Sequence, residues 1–182
     1  MRFLPVPSVR AAALLLLLLA AAATAGCSKS KPPPPCPEVR IIAITSEMTR
    51  FRPGPGRDLT DVEYEVSAEG ISGGCTYRDE GTLVEIELTA TFVVERGPAL
   101  QGDTVRFPYY IAIVTRDEQI LTKAVFEADA VFEPGQRRVG LSETSRERIP
   151  LADGQISLDY EVLVGLQLSQ EELAYNRRER GY

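Results

Sequence analysis

Three long stretches of this chain alternate apolar and polar residues at every second position, and that period limits the fold more than any other feature. Val62, Tyr64, Val66 and Ala68 alternate with Asp61, Glu63, Glu65 and Ser67. Val84, Ile86, Leu88, Ala90, Phe92 and Val94 alternate with Glu85, Glu87, Thr89, Thr91 and Glu95. Residues 156–168 repeat the scheme, with Ser157, Asp159 and Glu161 on the wet side. Successive side chains of a strand point to opposite faces, so each stretch predicts a half-buried antiparallel strand. Residues 109–115 are apolar on both faces and predict a central strand. Ala124, Phe126, Ala128, Ala130 and Phe132 continue the alternation, with Glu127, Asp129 and Glu133 outside. Pro- and Gly-bearing segments at 52–56, 72–74, 96–98, 133–135 and 152–154 punctuate the strands. About seven strands so separated predict an all-β fold: an antiparallel β-sandwich, immunoglobulin-like in architecture, with a small barrel as the alternative.

The N-terminus follows another pattern. Arg2 and Arg10 precede an apolar run of 13 residues, 11–23, which ends in Thr24-Ala25-Gly26-Cys27. A basic start, a short apolar middle and small residues before a cleavage point make an export signal, and the run is shorter than the ~20 residues a membrane-spanning helix needs. The small-small-Cys ending resembles the lipobox of bacterial lipoproteins, although Thr24 stands where an aliphatic residue is usual. The resemblance implies removal of residues 1–26 and acylation of Cys27. Two or more acyl chains make release from a bilayer slow. In such lipoproteins an Asp after the cysteine signals inner-membrane retention; Ser28 stands there, so the resemblance implies the outer membrane, facing the periplasm. Residues 27–35 are then a lipidated, proline-rich tether, and residues 36–182 the periplasmic domain.

Removing residues 1–26 takes two of the 20 basic residues and none of the 26 acidic ones, leaving a net charge of −8. That balance argues against nucleic acid as a partner. With Cys27 acylated, Cys36 and Cys75 are left as a disulfide pair in an oxidising compartment. Strands at 39–44 and 61–69 lying antiparallel and adjacent would bring the two cysteines together.

Enzyme chemistry finds little support. The chain has no histidine, which excludes Ser-His-Asp and Cys-His sites and confines metal binding to carboxylates. Asp58, Thr60, Asp61 and Glu63 offer oxygens but lack calcium-loop spacing, and they read equally as a wet strand face. No cofactor or metal is implied. Ser169-Gln170-Glu171-Glu172 is a capping box that opens a short C-terminal helix.

Two surface features suit a partner protein: the loop carrying Arg50, Arg52 and Arg57, and the helix carrying Tyr175, Arg177, Arg178 and Arg180, with Tyr182 beyond it. Each also has a plain structural account, as a turn and as cations at a helix C-terminus. Cys36-Pro37-Glu38, the 51–61 loop, Phe107-Pro108-Tyr109-Tyr110 and the 172–178 ending resemble a group of uncharacterised alphaproteobacterial envelope lipoproteins, a resemblance that implies no activity. The expectation is a non-enzymatic, lipid-anchored binding or accessory subunit of an envelope complex. An envelope carbohydrate-active hydrolase or carbohydrate-binding module, and a structural spacer, remain alternatives.

Overall fold

The computed structural model describes residues 34–181, the side chain of Arg180 excepted. Cys27, residues 28–33 of the tether and Tyr182 therefore lie outside the described residues. Within them the chain forms β1 (Glu38–Ile41), β2 (Glu47–Phe51), β3 (Val62–Arg78), β4 (Leu83–Arg96), β5 (Thr104–Thr115), β6 (Ile120–Val131), β7 (Arg138–Pro150), β8 (Tyr160–Leu166) and one α-helix, α1 (Gln170–Arg180).

The strands make two four-stranded sheets, ordered β1-β8-β5-β6 and β2-β3-β4-β7. Every pairing is antiparallel except that of β1 with β8. This is the β-sandwich that the alternation predicts. β4 is the cleanest case: Val84, Ile86, Leu88, Ala90, Phe92 and Val94 are all buried, and the residues between them face out. Across the core, Phe92 meets Phe107 edge-on at 5.4 Å and Tyr109 at 5.1 Å, and Tyr109 stacks on Phe126 at 5.3 Å. β5 is central, and Ile111, Ala112, Ile113 and Val114 are all buried, as a run apolar on both faces requires. On the outer face of the other sheet, Glu85, Glu87 and Glu95 on β4 pair with Arg148, Arg146 and Arg138 on β7. These cross-strand ion pairs add small increments that favour one register.

Three expectations are corrected. Residues 39–44 and 61–69 are not adjacent strands: β1 pairs in parallel with β8, and β2 is the strand beside β3. The Cys36–Cys75 disulfide is nevertheless present, with a Cα–Cα distance of 5.7 Å, and it joins the lead-in to β1 in one sheet to β3 in the other. The strand expected from residue 156 starts at Tyr160, after a 3-10 turn at Ser157–Asp159. That turn shifts the phase, so Ile156 is exposed while Ser157 is buried and donates its hydroxyl proton to the Pro35 carbonyl at 2.7 Å. Finally, the sandwich has eight strands among the described residues, because β2 and β7 carry little of the expected pattern.

Pro35, at the end of the expected tether, is part of the folded domain. Its carbonyl accepts hydrogen bonds from both Ser157 Oγ and Tyr77 Oη, the latter at 2.8 Å.

Candidate binding cleft

β2 ends in Arg50-Phe51, and the loop that follows carries Arg52 and Arg57. Helix α1 lies against both. It is held there mainly by polar side chains. Glu172 and Asn176, one turn apart, are both buried. Asn176 Nδ2 donates to the carbonyls of Ile44 at 3.0 Å and Glu47 at 2.8 Å. Because Ser46 gives its carbonyl to Ala68 on β3, the next carbonyl, that of Glu47, points to the free edge of the sheet. Asn176 therefore caps an edge of β2 that would otherwise be open.

Glu172 has two tasks. The amide of Ser169 donates to its Oε2 at 2.7 Å, and its own amide donates to Ser169 Oγ at 3.2 Å, which completes the predicted capping box. Its Oε1 lies 2.9 Å from Arg50 Nε. The N–H of that guanidinium is not aimed at the oxygen, so the contact is an ion pair and neither atom has a directed hydrogen bond. A buried carboxylate is costly unless such a cation stands beside it.

The loop is fastened from below. Arg52 meets Asp61 at 2.5 Å, and the Asp61 carboxylate sits so close to Gly56 that a Cβ there would collide with it. Asp58 accepts from the Thr60 amide at 2.7 Å and from its hydroxyl at 2.6 Å, and the hydroxyl bond leads in holding the Asp58 carboxyl below its usual range. Asp58 and Asp61, which sequence offered as oxygen donors for calcium, are thus occupied in shaping the loop. From above, Arg57 pairs with Glu171 of α1 and lies over the Phe51 ring at 5.4 Å. Phe51 meets Tyr175 edge-on at 5.1 Å.

The result is an open cleft of about 400 Å³ between β2, the loop and α1. Four guanidinium groups line it, those of Arg50, Arg52, Arg57 and Arg178, against the carboxylates of Glu63, Glu171 and Glu172. Arg178 is exposed and has no ion-pair partner among the described residues. Burial is the main cause that raises the Tyr175 hydroxyl above its ordinary value; Glu179 and Glu65 add to it and Arg178 opposes. An aromatic wall beside a free, planar guanidinium suits a carboxylate-bearing ligand.

The loop and helix that sequence presented as two separate features are therefore one site. Arg50, Arg52, Arg57, Tyr175 and Arg178 come together; Arg177 is exposed but lies outside the lining. The roles of Phe51 and Glu171 were not apparent, since a contact such as Arg57–Glu171 spans 114 residues. No family model matches the chain, nor does any curated protein or solved structure, so its function is read from its own geometry.

Proposed function

We propose that this chain is a lipid-anchored envelope protein that binds a partner protein in the cleft between β2 and α1, and that it is not an enzyme. The ligand is a carboxylate-bearing segment, an acidic side chain beside an apolar one or a chain terminus. Cys27 supplies the anchor and the proline-rich segment the spacing from an outer membrane. The observation that carries the reading is the gathering of four arginines with Phe51 and Tyr175 in one concave site, on a chain of net charge −6. Concave sites with a few converging polar groups and an apolar wall are where proteins most often bind. Arg178 is the group free to meet the ligand, while Arg50, Arg52 and Arg57 are each held by an acid of the protein itself.

The test is photocrosslinking in cells from benzoylphenylalanine at position 175, followed by mass spectrometry. A reproducible envelope protein, lost when Arg178→Glu is added, is the expected result. Adducts that ignore the charge reversal, or no adduct at all, would refute the cleft as the contact. The anchor has its own test: Cys27→Ala should move the protein from the membrane to the soluble fraction, and retention in membranes would sink that part.

A further inference from the structure

Among the described residues the two sheets end in four edge strands, and three of them are guarded. β2 is capped by α1 through Asn176. β1 is only four residues long. β7 turns Glu143 and Glu147 toward the space between the sheets, opposite Ala90 and Ile86 of β4 in register, and inward charges discourage a further strand. β6 has none of these devices. It is 12 residues long and, among the described residues, pairs with β5 on one side and with no strand on the other.

β6 also concentrates exposed apolar surface. Ile120, Leu121, Val125 and Val131 are each more than half exposed, and they are four of the six exposed large apolar residues among those described. Its free edge can be assigned by parity. The Phe132 amide donates to Asp103 on the β5 side, and the register runs unbroken from there to Thr122. Even-numbered residues therefore turn their N–H and C=O toward β5, and Lys123, Val125, Glu127, Asp129 and Val131 turn theirs outward.

From this edge we infer that two copies of the chain pair through β6, antiparallel about a two-fold axis that passes through Val125. In that register Val125 meets Val125 of the second copy. Lys123 meets Glu127, and by symmetry Glu127 meets Lys123, so the pair forms twice. The charges that complete these pairs are free to do so. Asp129 is already held by Arg106 in a two-pronged pair at 2.6 and 2.8 Å, whereas Glu127 feels the same guanidinium only at longer range and makes no close ion pair among the described residues. Lys123 lies over the Tyr110 ring at 4.3 Å, on the same outer face. A slip by two residues would put Lys123 opposite the occupied Asp129 and Glu127 opposite Val125, losing both charge pairs. On the inner face the chosen register sets Phe126 against Ala124 of the second copy. The product is one continuous eight-stranded sheet.

The experiment is disulfide trapping of the full chain in cells. Residues opposite each other in such a pair have Cα atoms about 5.5 Å apart, within disulfide reach. Val125→Cys should give a covalent dimer well above the chain without the added cysteine, and Lys123→Cys should not. Adding Lys123→Glu to the Val125→Cys chain should lower the dimer roughly tenfold, and adding Glu127→Lys as well should restore it. A Val125→Cys chain that yields no more dimer than Lys123→Cys, that joins a different protein, or that ignores the charge swap overturns the inference. Carbodiimide crosslinking of unaltered chain, mixed from two isotope labels, gives a reading that no substitution can confound. A Lys123–Glu127 amide between differently labelled copies supports the pairing, and its absence counts against it.

Discussion

Glu172 serves two partners at once, one oxygen on the Ser169 amide and the other 2.9 Å from Arg50 Nε. The cap of the helix and the floor of the cleft are therefore one side chain. Gln at this position still reaches back to the Ser169 amide but brings no charge to Arg50. Glu172→Ala should cost about 2–4 kcal/mol, losing both cap and ion pair, and Glu172→Gln about half of that. A double-mutant cycle with Arg50→Ala by urea denaturation checks it: a coupling near zero would show that the ion pair does not hold α1 down.

The disulfide closes a span of 39 residues between the two sheets. Chain entropy alone gives it about 3–4 kcal/mol. Cys36→Ser with Cys75→Ser should lower the melting temperature by roughly 10 °C for a domain of this size. Thiol labelling of denatured, unreduced protein should leave both cysteines of the native chain unmodified; labelled thiols there would dispose of the bridge.

Tyr109 should titrate late. Burial in the core is the main cause that pushes its hydroxyl up to about 12 from 10, and the inward Glu143 and Glu147 on β7 add to it. The folded chain holds this proton more tightly than the unfolded one, so the stabilisation is full below about pH 10 and is lost as pH rises toward 12. Tyrosinate absorbance should show a late component that Tyr109→Phe removes, and Glu143→Gln should bring it to lower pH. A late component that survives in Tyr109→Phe belongs to another residue.

Gly165 on β8 has no room for a side chain, because a Cβ there would collide with Thr45 Oγ1 and crowd the Tyr110 ring. These two hydroxyls bond to each other at 3.0 Å and pin the 3-10 turn at Ala43–Thr45 onto the sheet. Gly165→Ala should cost about 1–3 kcal/mol by overpacking, and Thr45→Ala in the same chain should recover part of it. Thermal melts of the three variants decide the matter.

How far the sequence could be read depended on how each strand meets water. β4 and β5 announce themselves because their inner faces are wholly apolar. β7 does not, since Glu143, Ser145 and Glu147 occupy inward positions at the open side of the sandwich, and a polar residue on a core face erases the two-residue period. β2 is too short, and Arg50, a cation at a position in register with buried Tyr64 and paired with Glu172, breaks its pattern. The capping box at Ser169 was legible because it is local. The cleft was not, as its two halves lie more than a hundred residues apart and meet only when Asn176 docks on Ile44 and Glu47.

The grip on Pro35 and Cys36 also settles how this domain meets a mechanical load. Pulled from its N-terminal side, β1 alone would unzip from β8 one ladder bond at a time, over only four residues. The disulfide prevents that by handing the tension covalently to β3, the longest strand, in the opposite sheet. A pull at Pro35 is thus shared by both halves of the sandwich at once, and the first strand cannot peel away before the body of the domain resists.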